Sequence, residues 1–384
     1  MGLEREATAA AQAIELRGLT KTFGEVVANR DIDLTVRAGE IMALLGENGS
    51  GKTTLMNMLS GLYRPDSGQI FVSGREAAIH SPRDAIRLGI GMIHQHFRLV
   101  DVLTVQENIV LGTRAGKKSA RALSAEIKKV SDRFGLRVDP DRKVYSLSVG
   151  EKQTVEILKV LYRGAKILIL DEPTAVLIPQ ETRRLFEILR RMRDEGCAVI
   201  IITHKLNEVM EISDRVTILR QGMSVATVQT AQTDAMGLTQ MMVGKAVDLS
   251  IHRPEPRLAG ALLDVHHLTV LSDDGVKALD DVSFALEGGA VLGVAGVAGS
   301  GQKELCESIA GLQPVHAGAI LYRHINIVGL TPREIIKKGI SMSFIPEDRL
   351  GMGLVGSMGM VDNMLLKTYV NHPGPLVDRG PATA

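Results

Sequence analysis

The chain has 384 residues, with 45 Lys+Arg against 44 Asp+Glu for a net charge of +1, and two cysteines. That balance gives neither the basic face of a nucleic-acid binder nor a polybasic membrane anchor. Two cysteines make no disulfide framework or zinc cluster, so a reducing cytosol is expected.

The length suits about two domains. Residues 1–13 lack the apolar core of a signal peptide, and no apolar run nears the ~20 residues that span a bilayer. Any membrane role is therefore expected to run through a partner. From Ile14 to Leu34 the pattern predicts a strand, a turn at Phe23-Gly24 and a second strand. Phe23 either stacks on an adenine ring or packs in the core, and its position leaves both open.

Ile41-Met42-Ala43-Leu44-Leu45 reads as a buried parallel strand. It runs into Gly46-Glu47-Asn48-Gly49-Ser50-Gly51-Lys52-Thr53-Thr54, and then a helix with Leu55, Met58 and Leu59 on one face and Gly61 as its stop. Strand, Gly-x-x-x-x-Gly-Lys-Thr and helix together form a nucleotide-phosphate loop. Glycines let backbone N–H groups turn inward, Lys52 reaches the β and γ phosphates, and the Thr53 hydroxyl takes a Mg²⁺ position.

Ser81-Pro82 opens a helix to about Leu88, closed by Gly89, and a strand over Ile90–Ile93 then delivers Gln95. A strand-end Gln can bind Mg²⁺ and the attacking water. His94 and His96 flank it; with no Cys or carboxylate to complete a ligand set, they read as packing or surface residues. Residues 99–143 are polar and helix-rich, and Arg114, Lys117, Lys118 and Arg121 read as a solvated helical surface.

In Leu147-Ser148-Val149-Gly150-Glu151-Lys152-Gln153, Ser148 and Glu151 make a capping box for a helix toward Leu161. The Ser148 hydroxyl, the Gly150 N–H and the helix N-terminus also make a second anion site. The strand Ile167–Leu170 ends in Asp171-Glu172, one carboxylate for Mg²⁺ and one to polarise water. A helix over Gln180–Asp194 buries Leu185, Ile188, Leu189 and Met192, and a strand over Ala198–Ile202 ends at Thr203-His204.

In order and spacing this series resembles the nucleotide-binding domain of an ABC transporter ATPase. The resemblance implies an α/β, phosphate-loop NTPase fold over residues 12–245. It has a central, mostly parallel sheet, an antiparallel β subdomain and a helical subdomain at about 97–160. It implies ATP and Mg²⁺ as cofactors, with Phe23 on the adenine and Gly46, Glu47, Asn48, Gly49, Ser50, Gly51, Lys52, Thr53 and Thr54 around the phosphates. Thr53, Gln95 and Asp171 become the metal positions, and Gln95 also the lid residue coupled to the membrane subunit. Ser148, Gly150 and Glu151 fall in the signature that covers ATP held by the opposing domain. Glu172 becomes the general base, and His204 the contact to the γ-phosphate. One departure is Ala175-Val176-Leu177-Ile178, where the family has Ser-Ala-Leu-Asp.

From about residue 262 the chain repeats itself: Gly46, Gly61-Leu62, Gly68, Ser81-Pro82-Arg83 and Gly89 pair with Gly296, Gly311-Leu312, Gly318, Thr331-Pro332-Arg333 and Gly339, at an offset of 250 residues. This predicts a linker at 246–261 containing Arg253-Pro254-Glu255-Pro256, a partial second domain at 262–370 and a disordered tail at 371–384. In the second loop Gln302 stands where Lys52 would and Lys303 where Thr53 would, so weak or no hydrolysis is expected there. With Ile345-Pro346-Glu347-Asp348-Arg349 following, the chain resembles the fused ATPases of bacterial importers for simple sugars and nucleosides. The run Met92–Val100 leans to the nucleoside branch.

The resemblance implies permease subunits as direct partners, a substrate-binding protein as an indirect one, and a peripheral place on the cytoplasmic face of the membrane. In that family the second copy also has a signature, a Mg²⁺ carboxylate and a switch His. Here the sequence ends at Ala384, so a half-domain is expected. Two first domains then complete one another's sites as a homodimer, or turnover is poor. A soluble tandem ATPase acting on ribosomes is a weaker alternative, since it calls for a long charged linker and a competent second loop. A nucleotide-gated interaction protein is a third. Lys52→Ala is expected to abolish ATP turnover of the purified chain, and Gln302→Ala to change it far less, in a steady-state phosphate-release assay.

Overall fold

The computed structural model describes residues 12–95, 97–113, 118–244, 260–272, 274–297, 299–338, 340, 343–346 and 349–366, with the backbone alone at 349 and 350. His96, Arg114, Lys117, residues 246–259 of the expected linker, Gly339, Glu347, Asp348 and the expected tail lie outside them. The chain divides into two compact units, Met1–Ile251 and His252–Ala384.

The first unit opens with β1 (Gln12–Phe23) and β2 (Val26–Arg37), continues through β3 (Ile41–Leu45), α1 (Lys52–Leu59), β4 (Ser67–Val72) and β5 (Arg75–Glu76), and then α2 (Pro82–Arg87) and β6 (Ile90–Ile93). Three helices follow: α3 (Val105–Val110), α4 (Ala120–Phe134) and α5 (Val149–Tyr162). The rest is β7 (Ile167–Asp171), α6 (Pro179–Asp194), β8 (Ala198–Ile202), α7 (Leu206–Ile212), β9 (Arg215–Arg220), β10 (Met223–Gln229) and α8 (Ala235–Val243).

A six-stranded sheet in the order β10-β9-β3-β8-β7-β6 forms the centre; its pairs are parallel except the β9–β10 edge. Every residue of β3, β7 and β8 is buried, and alternate residues serve two different cores. Ile41, Ala43 and Leu45 face the layer of α5 and α6. Met42 and Leu44 face α1 and the antiparallel sheet β2-β1-β4-β5. A strand covered on both faces has no solvent side to mark with polar residues, which is why these segments read as unbroken apolar runs.

The turns have local causes. Gly61 takes φ +76°, and a Cβ there would lie 2.4 Å from the Ser81 carbonyl, so the stop of α1 is also the seat of the α2 N-cap. The Ser81 side chain accepts from the Asp84 N–H and Pro82 occupies the first helical turn, as the Ser-Pro pair predicts. In the helical layer, buried Asn108 on α3 accepts from the Val100 N–H and donates to the Val100 and Thr104 carbonyls.

The second unit holds β11 (Ala261–Leu271), β12 (Lys277–Glu287), α9 (Gln302–Ile309), β13 (Ala317–Tyr322), β14 (Ile325–Asn326), α10 (Pro332–Lys337) and α11 (Met360–Leu365). Its antiparallel sheet runs β12-β11-β13-β14, the same relative order as β2-β1-β4-β5. Left-handed residues recur at the same offset: Asp31 and Asp281, Gly51 and Gly301, Gly61 and Gly311, Gly68 and Gly318. The β4–β5 turn uses Ser73-Gly74 at positive φ, and the β13–β14 turn uses Arg323-His324. Asn363 clasps the Val355 backbone as Asn108 clasps that of Val100.

One difference is large. Residues 291–297, which correspond to β3 and its exit, form no strand, and Val291 is 99% exposed. In the first unit β3 is held between β8 and β9; among the described residues of the second unit no strand pairs with 291–297.

Among the described residues, Phe186 on α6 is the largest fully buried side chain. Phe186→Ala is expected to cost about 3–5 kcal/mol through lost transfer energy and a cavity, read as a lowered midpoint in denaturant unfolding.

Candidate functional site

The site lies where the central strands end. β3 delivers the loop 46–51, β7 ends in Asp171, and β8 ends just before Thr203 and His204. Gly51 caps α1 in the left-handed region, at φ +95°, and a Cβ there would lie 2.4 Å from the Ala28 carbonyl. Buried Asn29 on β2 donates to the Gly51 carbonyl at 3.3 Å. The hairpin β1–β2 is thus fastened to the phosphate loop, through a residue that nothing in the sequence pattern singled out.

Lys52 is only 9% exposed. Its ammonium donates to the Gly46 carbonyl at 2.8 Å, the Glu47 carbonyl at 2.9 Å and the Ser50 hydroxyl at 3.4 Å. Burial lowers its pKa, and the charges of Glu172 and Asp171 oppose that shift. Burial raises the Asp171 pKa, helped by the charge of Glu172 and opposed by Lys52. The structure therefore brings Lys52, Asp171 and Glu172 into one electrostatic group, although 119 residues separate Lys52 from Asp171.

Glu172 has φ 50°, in the left-handed region that non-glycine residues enter at a cost of order 1–3 kcal/mol. Its N–H is held by the Ile202 carbonyl at 2.9 Å. One carboxylate oxygen lies 2.9 Å from His204 Nδ1; the other is buried without a partner. A buried, unpartnered carboxylate oxygen is costly unless something else uses it. The backing is firm: Thr174 donates to Glu208, and Lys205 donates to the Thr174 carbonyl and pairs with Glu208.

Gln95 is exposed just beyond β6. Because Ile93 pairs with Leu170, Gln95 leaves the sheet at the level of Glu172. Thr53 is exposed on the first turn of α1. Asp171, Thr53 and Gln95 carry oxygens of the kind that a hard cation takes. Among the described residues no cluster of three or more His, Cys, Asp or Glu could hold a metal ion by itself. His94 instead lines a cavity of about 190 Å³ with Arg98, Glu156 and Lys159. Burial lowers its pKa, as do the charges of Arg98 and Lys159. Glu156, missed in the sequence, is buried on α5 and accepts from the Arg98 N–H and from Lys159, tying α5 to the chain beyond Gln95.

Phe23 is 43% exposed, so of its two readings the core residue is overturned. It sits at the end of β1, edge-on to Tyr63 with centroids 5.2 Å apart and with Lys21 over its ring. Asp66 fixes this corner, accepting from Lys21 and from the Thr22 N–H and hydroxyl.

Ser148 accepts from the Glu151 N–H and Glu151 accepts from the Ser148 N–H, the reciprocal capping box expected from the sequence. Arg142 pairs with Glu151 at 2.7 Å. The adjoining cavity, of about 60 Å³, is walled by Gly150, Leu177, Glu181 and Leu185 and includes no phosphate-loop residue. In the second unit, Gln302 donates to the Gly296 carbonyl at 3.3 Å, copying one bond of Lys52 without its charge. Lys303 turns toward Glu307 on α9. Ala298 of that loop is outside the described residues.

A phosphate loop on a parallel sheet, its lysine facing two strand-end carboxylates, defines a phosphate-loop NTPase. Residues 29–175 match the ABC transporter family. The chain is 43% identical to the nucleoside import ATP-binding protein NupA of Lactococcus lactis subsp. cremoris, over 94% of this chain and 71% of that one. It is 44% identical to the guanosine import ATP-binding protein NupO of Bacillus subtilis, over 94% and 71%. It is 41% identical to the ribose import ATP-binding protein RbsA of Yersinia pestis, over 92% and 69%. Among solved structures, cbiO1 of Clostridium perfringens, part of the cbiONQ ABC transporter complex, aligns with TM-score 0.53 and 27% identity, over 58% of this chain and 90% of that one. The ATP-binding cassette MJ1267 of an ABC transporter shares the fold at TM-score 0.54, with 23% identity, over 60% of this chain and 95% of that one. The chain belongs to the ATP-binding proteins of ABC transporters.

The hydrogen bond from Lys21, followed by those from Thr22, holds the Asp66 carboxyl at about 2, below its ordinary 3.8. A carboxyl depressed on folding supports the fold above its ordinary pKa and loses that support as pH falls through the folded value. Asp66→Asn is expected to loosen the Phe23 corner and to lower the midpoint of denaturant unfolding at pH 7, a difference that narrows as pH falls toward the folded value of about 2.

Proposed function

We propose that the chain is the ATP-hydrolysing subunit of an import system for a sugar or a nucleoside, acting on a separate membrane permease. The observation that carries the reading is the group of Lys52, Asp171, Glu172 and His204 at the ends of three neighbouring strands. The relatives' roles in nucleoside, guanosine and ribose import support the cargo class.

In this reading Lys52 and the loop from Gly46 to Thr54 hold the phosphates, and Phe23 stacks on the base. Lys52 has two carbonyls to leave when a phosphate oxygen offers itself, a neutral-for-charged exchange that favours the ligand. Asp171, Thr53 and Gln95 would hold Mg²⁺, which when bound offsets phosphate charge. The unpartnered oxygen of Glu172 accepts the proton of an incoming water, and His204, on the other oxygen, orients that carboxylate and faces the γ-phosphate. Ser148 and Gly150, in a cavity apart from the phosphate loop, serve the nucleotide of an opposing domain. A homodimer through the first unit therefore completes each site.

The second unit is read as a partial second nucleotide-binding domain, supported by its matching sheet order and left-handed residues. Its Gln302 and outward-turned Lys303 support binding without hydrolysis. No helix among the described residues is long and apolar enough to cross a membrane, and a peripheral place on the cytoplasmic face follows from permease docking near Gln95.

The test is ATP turnover across protein concentration. Specific activity is expected to rise with concentration and to fall by 100-fold or more, on the order of one lost catalytic acid–base group, in Glu172→Gln and Lys52→Ala. Activity that is independent of concentration, or that survives Glu172→Gln, rejects the paired-site mechanism.

A further inference from the structure

Gly150 is the second residue of α5, so its N–H is one of the helix's first donors and has no partner inside the helix. It is nevertheless occupied: it donates to Glu181 Oε1 at 3.2 Å. The other oxygen of Glu181 accepts from the Ile178 N–H at 3.3 Å, at the start of α6. One carboxylate thus bridges the first turns of two helices. It lies hard against the glycine, since a Cβ at position 150 would be 2.4 Å from Oε1. Ile178, 43% exposed, brings no polar side chain to this corner.

We propose that Glu181 is a gate on the signature: its carboxylate occupies the anion position at α5 and must be displaced before the nucleotide of an opposing chain can be covered. This rests on the paired-site reading above. A phosphate oxygen and the Glu181 carboxylate compete for the same N–H and repel each other, so both cannot occupy Gly150. Arg184 lines the same cavity three residues further along α6, and among the described residues it has no ion-pair partner. It is within helical neighbour distance of a displaced Glu181 and gives the carboxylate a second resting place. Glu181 is a positioning residue: it sets how much nucleotide closure requires, without touching the reacting atoms.

The experiment follows dimer formation of the whole chain by sedimentation as Mg-ATP is titrated, in a Glu172→Gln background that slows hydrolysis. Adding Glu181→Gln keeps an oxygen acceptor for capping and removes the charge. It is expected to lower the ATP concentration for half-dimerisation by about tenfold, the scale of one charge-assisted contact. Glu181→Ala shifts it the same way while lowering thermal stability. If Glu181→Gln leaves the requirement unchanged or raises it, Glu181 only caps α6 and the gate is overturned. If neither background dimerises while nucleotide still binds in a Lys52-dependent manner, the gate is also overturned and the nucleotide reading stands. Loss of nucleotide binding in the parent chain would instead sink the reading on which the gate rests.

Discussion

An ammonium group held almost out of water beneath a phosphate loop sets the terms for everything around it. Burial lowers the pKa of Lys52 there, and what offsets that burial comes from two distances. Nearby it is two carbonyls of its own loop, at Gly46 and Glu47. Further off it is the pair Asp171 and Glu172, which the parallel sheet carries to the same edge. The crossover helices α5 and α6, the buried strands and the fastening of β2 to Gly51 all keep those charges in register. The same arrangement leaves Asp171 with a raised pKa and Glu172 with an oxygen that nothing satisfies.

Much of the first unit was legible in the sequence because its rules are local. The fully apolar runs of β3, β7 and β8, the Ser-Pro start of α2, the Ser148–Glu151 box and the glycine stops each state their structure within a few residues. The apolar face of α6 was likewise visible at helical spacing, and all four residues named for it are buried. What escaped was long-range and polar. Asn29, Asn108, Glu156 and Asp66 act through a few hydrogen bonds each, reaching backbone groups as far as 58 residues away, and no periodicity marks such a residue. Phe23 stayed ambiguous because an aromatic at a strand end gives the same pattern whether it faces inward or out.

The second unit shows how far local rules go where, among the described residues, a central segment pairs with no strand. Its antiparallel sheet, its left-handed corners and its Asn363 clasp reproduce the first unit closely. The run from Val291 to Val297 is apolar enough to be a central strand, yet it lies exposed. Propensity proposes a strand; neighbours on both sides make it one. The glycine-turned loop before α9 keeps its shape all the same, because Gly301 is fitted against the Ala278 carbonyl in the way that Gly51 is fitted against that of Ala28.

The two hairpins differ in a way that the finished sheets hide. Ser73-Gly74 places a glycine at one of its two left-handed positions, whereas Arg323-His324 places side chains at both. A left-handed non-glycine residue costs roughly 1 kcal/mol or more, so the second turn is opposed by its own backbone and the first far less so. Both turns close strands that are held by a neighbour, β4 by β1 and β13 by β11, and the β13–β14 turn carries one more strained residue against that support. Two sheets with one outline thus differ in how hard their ladders work, the second holding a bend with one more side chain in the left-handed region.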